Sequence, residues 1–178
     1  MITIMTTALS PEEQAELARL LTAVAKQDNG FIPDPAYRPI RQLIPWPAVE
    51  VLIYDDAGRF LLSYRDDDFK GWHIPGGNMK VNESYQAACD RHVHKDTIAD
   101  AVTDLKLIAT HTWLHGEHLY GYPISLIIAC RAVGEIVERD DLTWFTEIPR
   151  NVVHENYLLY LAYFQKWFKE DRESAAIL

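Results

Sequence analysis

The side chains in this sequence that are best placed to do chemistry lie just after a predicted glycine turn. Residues 75–77, a proline followed by two glycines, predict a tight turn of the backbone. Asn82 is predicted to cap a helix that runs to about Asp96. His92, Lys95 and Asp96 have i, i+3 and i+4 spacing on that helix and therefore share one face beside the turn. Of these three, only Asp96 suits a hard cation such as Mg²⁺, because a protonated lysine has no lone pair and imidazole is a poor partner.

The composition and charge of the chain exclude several classes of protein. Its 178 residues are 48% hydrophobic, which indicates a folded domain with a substantial core. The net charge of −9 provides no basic surface for a nucleic acid or a membrane. The same charge would repel a nucleoside diphosphate, so a ligand of that kind implies a metal cation or local arginines.

The two cysteines and the N-terminus bear on the compartment. Cys89 and Cys130 lie in a predicted helix and a predicted strand, and we expect them to be buried thiols of a reducing compartment. The sequence has no long apolar run, and residues 1–7 are too short for a signal peptide. We therefore expect a cytoplasmic protein.

The first 47 residues are predicted to form an N-terminal region of their own. Ser10 and Pro11 mark the start of a helix that continues to about Lys26 and carries an apolar stripe. Five prolines between residues 31 and 47 predict a mostly extended connector. We expect residues 1–47 to pack on a core domain formed by residues 48–178, with a dimer contact as the alternative role of the helix.

The rest of the sequence predicts strands around two long helices, the first of which is the helix after the glycine turn. The second helix is predicted at residues 151–170. Strands are predicted at residues 48–54, 59–64, 104–115, 123–133 and 142–145, with a hairpin turn at 55–58 joining the first two. This order predicts an α/β fold, an α/β/α sandwich with a mixed sheet.

Two charged residues on the predicted strands have two readings each. Glu50, between two valines, lies either on a solvated face or in a site. Arg65 ends the second strand and is either a surface residue or a phosphate contact. The residues themselves do not decide between these readings.

The turn and the helix together resemble the Nudix box, whose consensus is G-x5-E-x7-R-E-U-x-E-E-x-G-U, with U an aliphatic residue. Positions that match, or carry a related residue, are Gly77, Glu83, Arg91, Val93 and Asp96. Two glutamates that hold Mg²⁺ in ordinary members and one glycine are replaced, by His92, Lys95 and Ile98. The chain is therefore identified as a member of the Nudix hydrolase family with a degenerate box, and the resemblance implies the same sandwich fold.

Within that family the sequence is similar to the GDP-mannose mannosyl hydrolases over about residues 48–168. Those proteins share the loss of the first two glutamates and have an acid in the place of Glu50 and an arginine in the place of Arg65. Their W-x-H and V-H-x-N motifs match residues 113–115 and 153–156. The arginine that follows their glycine pair is Asn78 here.

The resemblance implies a metal site and a mechanism. Gly76, through its carbonyl, Asp96, Glu83 and Glu50 are the candidate ligands of one Mg²⁺ ion, or Mn²⁺ as the alternative. Water would attack the anomeric carbon of a nucleoside diphosphate sugar, so a base must lie away from the phosphates. The candidate catalytic residues are His154 as that base, Arg65 and His115. The candidate substrate-binding residues are Arg65, Asn78 and Tyr122.

Three functions remain open from the sequence. The first is this nucleotide-sugar hydrolase, the second an ordinary Nudix pyrophosphohydrolase with a reduced metal site, and the third a non-catalytic nucleotide-binding or regulatory domain. In the third, the Lys95 ammonium stands in place of the metal and pairs with Asp96. The other histidines, 73, 94, 111 and 118, are expected to be ordinary surface or core residues. The resemblance also implies a homodimer.

Overall fold

The computed structural model describes residues 8–26, 32–67, 69–114, 117–118, 121–170 and 176–177. The chain divides into two compact units, Met1–Ile40 and Arg41–Leu178. The first strand of the second unit begins at Trp46, so the boundary predicted after residue 47 falls inside that strand. Trp46 and Pro47 already pair with Pro123 and Ile124 of a neighbouring strand, which ties them to the second unit.

The helix predicted at the start of the chain is confirmed, and the extended connector is wrong over eight residues. Helix α1 (Pro11–Ala25) begins with a capping box between Ser10 and Glu13. Helix α2 (Asp34–Arg41) occupies eight residues of the proline-rich segment. A proline in the first turn of a helix loses no hydrogen bond, and Pro39 removes only one, so the prolines do not prevent a short helix here.

The second unit contains two sheets and two long helices. A five-stranded mixed sheet has the order β4-β1-β6-β5-β8, with β1 and β6 parallel, and a three-stranded antiparallel sheet has the order β3-β2-β7. The elements are β1 (Trp46–Ile53), β2 (Phe60–Arg65), β3 (Gly71–His73), β4 (Gly76–Asn78), α3 (Tyr85–Thr97), β5 (Ala101–Thr112), β6 (Pro123–Val133), β7 (Leu142–Phe145), α4 (Glu155–Glu170) and β8 (Ala176–Ile177).

The hairpin predicted between the first two strands is correct only at its turn. The amide of Asp55 donates to the carbonyl of Arg59, and Gly58 has the positive φ of +77° that such a turn needs. A single bridge joins Tyr54 to Phe60, after which β2 enters the other sheet. Both edges of β1 are already occupied, by β4 and β6, so no edge is left for β2.

The helix after the glycine turn begins later than predicted. Asn82 has a φ of +60°, the left-handed region, and therefore does not cap the helix. Ser84 is the N-cap of α3, and its hydroxyl accepts a hydrogen bond from the amide of Ala87 at 3.2 Å. The helix ends at Ile98, also at a φ of +60°, where a β-branched residue occupies a conformation that favours glycine.

The core lies on both faces of the five-stranded sheet, and this arrangement confirms the predicted α/β/α sandwich. Alternate residues of β1 point to opposite faces. Val49, Val51 and Ile53 pack with α3, together with the thiols of Cys89 and Cys130, whose predicted burial is confirmed. Leu52 and Tyr54 pack on the other face, where α4 contributes Tyr160, Leu161, Phe164 and Trp167. None of the helices in the described part of the chain has the length and apolar character needed to cross a lipid bilayer.

Candidate active site at the glycine turn

The two glycines of the turn bring β4 into close contact with its neighbours. A Cβ on Gly76 would lie 2.3 Å from the carbonyl oxygen of Val49 and 3.1 Å from Oε2 of Glu50. A Cβ on Gly77, which has a φ of +146°, would lie 2.7 Å from Cε1 of His92. Larger residues at either position would therefore separate this strand from β1 or from α3.

Glu83 is held by a guanidinium. Arg91 donates from Nε and Nη2 to the two carboxylate oxygens of Glu83, each at 2.7 Å, and from Nη2 to the carbonyl of Asn78 at 2.9 Å. The amide of Lys80 donates to the same carboxylate at 2.8 Å. The hydrogen bonds from Arg91 lower the pKa of Glu83 to about 2. Both oxygens of Glu83 are thus engaged in joining the turn to α3, and its role as a metal ligand stays a prediction.

Glu50 points into the protein, which excludes a solvated face and leaves its role in a site as a prediction. Its side chain is buried, and Oε1 accepts a hydrogen bond from the hydroxyl of Ser125 at 3.2 Å. The hydroxyl of Ser125 in turn accepts a hydrogen bond from the indole nitrogen of Trp113 at 3.0 Å. Burial raises the pKa of Glu50 to about 8, although hydrogen bonds from Ser125 and Tyr157 oppose the rise.

Glu50 and Asp96 belong to different sides of the main sheet. By the alternation of β1, Glu50 lies on the face of Leu52, which packs with α4, whereas Asp96 is carried by α3 on the opposite face. Gly76 is the register partner of Glu50. The four predicted metal ligands therefore have different neighbours: Glu50 lies beside Gly76, Glu83 pairs with Arg91, and Asp96 lies beside His73.

Asp96 lies next to a histidine that the sequence had not singled out. The side chain of Asp96 is 15% exposed, and its Oδ2 lies 3.7 Å from Nε2 of His73, which is 9% exposed. Nδ1 of His73 is 2.7 Å from the carbonyl oxygen of Ser63. A carbonyl can only accept, so Nδ1 carries a proton, and a neutral His73 directs its Nε2 lone pair at the carboxylate.

His92 and Lys95, which the resemblance predicts in the place of two glutamates, do not join Asp96. His92 is buried, its Nε2 is 3.2 Å from the carbonyl oxygen of Asn78, and burial lowers its pKa. Lys95 is exposed, and within the described residues no ion pair links it to Asp96. Its ammonium is therefore not held in the place of a metal.

These donors fit one divalent ion and not a cluster of ions. In the described ranges, no three histidine, cysteine, aspartate or glutamate side chains come together as a metal site. Mg²⁺ commonly binds through one or two carboxylates and completes its shell with water and substrate phosphates. Asp96, whose side chain is 15% exposed, is the carboxylate that fits that description, and the carbonyl of Gly76 stays a predicted second donor.

His154 has both ring nitrogens engaged. The amide of Asn156 donates to Nδ1 at 3.1 Å, so Nδ1 is unprotonated and Nε2 carries the proton of the neutral ring. Nε2 donates to the carbonyl of Glu117 at 2.9 Å. The ring also contacts Trp113 edge to face, with centroids 4.6 Å apart. His154 therefore presents a donor at Nε2, and its predicted role as a base requires that these contacts change.

The other predicted site residues are distributed around the turn. Arg65 pairs with Asp67 at 2.5 Å, and both side chains are largely exposed. Asn78 accepts a hydrogen bond at its amide oxygen from Nη2 of Arg41 at 3.2 Å. Tyr122 is partly buried. His115 lies outside the described residues.

Sequence reasoning missed Arg41, Ser125 and His73. Arg41 is buried, and its guanidinium stacks 3.3 Å above the ring of Trp46 while it bonds Asn78. Its position at the end of a proline-rich segment gives no signal of a site. The signal for His73 was its place in the short strand directly before the glycine turn, where alternate side chains face the box helix.

Comparison with known proteins agrees with this architecture. The sequence profile described as "NUDIX domain" matches residues 45–150. A search of curated protein sequences finds no match to this chain. A crystal structure of a MutT Nudix hydrolase from Burkholderia pseudomallei is similar, with 20% identity, a TM-score of 0.55, and coverage of 67% of this chain and 97% of that one.

Two further structures share the fold. An ADP-ribose pyrophosphatase from Streptococcus suis has 18% identity and a TM-score of 0.51, and the match covers 72% of this chain and 95% of that one. A UDP-X diphosphatase has 15% identity and a TM-score of 0.55, with 92% and 87% covered. Because the NUDIX profile covers more than half of the sequence, this chain belongs to the Nudix family and is a hydrolase of that family.

Proposed function

We propose that this Nudix hydrolase acts on a nucleoside diphosphate sugar with a single divalent ion, and that water attacks the anomeric carbon of the sugar. The observation that carries the proposal is the state of the helix face: His92 is buried against Asn78, Lys95 is exposed, and Asp96 is the one carboxylate left at the three family positions. A single ion suffices to neutralise a departing diphosphate, whereas attack on phosphorus asks more of a metal cluster.

Two arginines supply further positive charge for the diphosphate. Arg65 is paired with Asp67 in an exposed ion pair, which a phosphate can replace at little cost because surface pairs contribute little. Arg41 lies at the amide of Asn78, the position where the similar mannosyl hydrolases have an arginine. The guanidinium of Arg41 therefore lies beside Asn78, the position at which this chain lacks the arginine of the mannosyl hydrolases.

His154 is the proposed base, and it can act only after its surroundings rearrange. A base needs the Nε2 lone pair, but Nε2 donates to Glu117 while the amide of Asn156 holds Nδ1 unprotonated. Substrate binding would have to displace the turn that carries Glu117 and change the tautomer. The proposal also includes two features of the sequence, the degenerate Nudix box and the similarity to the GDP-mannose mannosyl hydrolases.

Ordinary hydrolysis of the pyrophosphate bond is the second candidate. The tautomer of His154 favours it, because an Nε2 that carries a proton can donate to a phosphate oxygen in place of the Glu117 carbonyl without a change of tautomer, whereas it cannot activate water. Asp96 with one ion would then serve attack on phosphorus.

The products in ¹⁸O-labelled water distinguish the two reactions. With Mg²⁺ and a panel of nucleoside diphosphate sugars, attack at carbon releases labelled free sugar and unlabelled nucleoside diphosphate. Attack at phosphorus instead releases a nucleoside monophosphate and a sugar phosphate, one of them labelled. Label in the phosphates would overturn the primary proposal, and turnover that persists in Asp96→Asn would exclude the metal role of that residue.

The remaining features of the proposal are the cofactor, the binding partner, the cellular location and the oligomeric state. The expected cofactor is Mg²⁺, with Mn²⁺ as the alternative, and the expected partner is a nucleoside diphosphate sugar or related nucleotide rather than a nucleic acid or a membrane. A cytoplasmic location and a homodimer stay predictions. Size-exclusion chromatography with light scattering measures the second of these directly.

A further inference from the structure

His73 and Asp96 form a pair whose geometry differs from that of an ordinary ion pair. Nε2 of His73 and Oδ2 of Asp96 are 3.7 Å apart, whereas charge-assisted hydrogen bonds are about 2.7–2.9 Å long. Two metal–ligand bonds of about 2.1 Å each can span this separation. Both side chains are mostly buried, so the gap between them lies inside the protein surface.

The other nitrogen of His73 provides a second, independent observation. Nδ1 donates to the carbonyl oxygen of Ser63 at 2.7 Å, in a buried hydrogen bond between β3 and β2. Histidines that bind metals almost always donate their second ring N–H to a backbone carbonyl or a carboxylate, which fixes the tautomer and the direction of the lone pair. His73 is thus oriented with its free nitrogen towards Asp96.

We propose that Nε2 of His73 and the carboxylate of Asp96 bind one divalent ion together, and that the nitrogen ligand makes the site prefer a transition-metal ion such as Mn²⁺ or Co²⁺ to Mg²⁺. This inference rests on the proposed function, because it concerns the metal ion that the proposed reaction uses. Mg²⁺ takes oxygen ligands, whereas imidazole is a ligand of first-row transition metals, whose affinity for a given site rises from Mn²⁺, the weakest, through Co²⁺ in the Irving–Williams order.

The surroundings of the pair are consistent with a cation between them. Lys95 is exposed and forms no ion pair with Asp96 in the part of the chain that the structure describes. Arg139 is directed at the backbone carbonyl of Asp96 and at the carboxylate of Asp141, so its contact leaves the Asp96 side chain available. The alternative occupant is the proton of an imidazolium, which would make the pair a plain salt bridge.

The chain provides a matched control for the test. His94 lies on the same helix as Asp96, and its Nδ1 is also bound to a backbone carbonyl, that of Ala99 at 3.0 Å. Its side chain is exposed, and within the described residues it forms no ion pair with a carboxylate. His73→Gln and His94→Gln therefore remove the same ring from similar backbone contacts, and only the first removes the proposed ligand.

The experiment measures the bound ion rather than turnover. Electron spin echo modulation of Mn²⁺ added to the full chain, with and without GDP, should show coupling to one histidine nitrogen that changes when the histidines carry ¹⁵N. The coupling should disappear in His73→Gln and persist in His94→Gln. Calorimetry should show at least a 10-fold loss of Mn²⁺ affinity in His73→Gln with a smaller change for Mg²⁺.

Each outcome decides a different point. Mn²⁺ that binds without nitrogen coupling in the wild-type chain overturns the inference and leaves the proposed hydrolase intact. Coupling that survives in His73→Gln also overturns it. The wild-type ¹⁵N measurement needs no variant, so it remains decisive if His73→Gln fails to fold. Failure of the proposed function would appear separately, as label in the phosphate products while the nitrogen coupling is still present.

Discussion

Two carboxylates on either side of the glycine strand have opposite electrostatic environments. Glu83 accepts three hydrogen bonds from Arg91 and the Lys80 amide, and its pKa falls to about 2 because of Arg91. Glu50 is buried with hydroxyl partners, and burial raises its pKa to about 8. The first negative charge is neutralised by a fixed guanidinium and stabilises the fold. The second is not neutralised in this way and remains able to change its protonation.

Asp96 is the carboxylate proposed to bind the metal ion, and its substitution should have the largest effect. Asp96→Asn keeps the shape of the side chain but removes the charge that a divalent ion needs. We expect kcat to fall on the order of 10²–10³-fold, with little change in the free energy of unfolding. Steady-state kinetics at saturating metal measures the first and urea denaturation the second. Activity within twofold of wild type would show that the carboxylate is not part of the chemistry.

Arg91→Ala should destabilise the fold, because Arg91 is the cation that neutralises Glu83. It leaves the Glu83 carboxylate, 9% exposed, without its cation, and also removes the contact to the Asn78 carbonyl. We expect a loss of about 3 kcal/mol in the free energy of unfolding at pH 7, measured by urea denaturation. Arg19→Ala is the control, since it removes an exposed ion pair within one helix and should change stability little. Equal effects would contradict the structural role of Arg91.

The pH dependence of the free energy of unfolding should show that Glu50 and Glu83 have opposite pKa shifts. A carboxyl with a raised pKa in the folded state binds its proton more tightly when folded, so the folded state loses stability as pH rises from about 4.5 to 8. With a chelator present, we expect Glu50→Gln to be more stable than wild type by up to about 5 kcal/mol at pH 9 and nearly equal at pH 4.5.

Glu83 gives the opposite slope and serves as the internal reference. Its contribution is fully present above about pH 4.5 and is lost as pH falls towards 2. Thermal unfolding from pH 3 to 9 covers most of both windows. A wild-type curve that is flat between pH 5 and 8, and superimposes on that of Glu50→Gln, would refute the protonated state of Glu50.

Ser125→Ala should have the smallest effect. The substitution removes the hydroxyl that donates to Glu50 and leaves the indole nitrogen of Trp113 without that acceptor. We expect a loss of about 1 kcal/mol in the free energy of unfolding, because one buried donor becomes unsatisfied. Chemical denaturation at pH 6 measures it, and Ser125→Cys, which keeps a weak donor, should recover part of the loss.

Local sequence signals predicted the elements well where one residue type controls the backbone. The glycine turn, β6, β7 and the two long helices formed where periodicity and turn residues indicated. Predictions failed where several signals compete. Prolines suggested an extended segment where α2 forms, and Asn82 resembled a cap although Ser84 carries out that role. In each case the competing conformations differ by little energy locally.

The sequence by itself determined the fold class and the family. These follow from residue type and spacing along one chain, which periodicity and a continuous motif report directly. Tertiary structure decided which side chains meet: it divided Glu50 from Asp96 across the sheet, and placed Arg41 at Asn78 and His73 at Asp96. Contacts between strands and helices depend on register and on the face that each residue occupies, and neither is encoded in the local spacing of the residues involved.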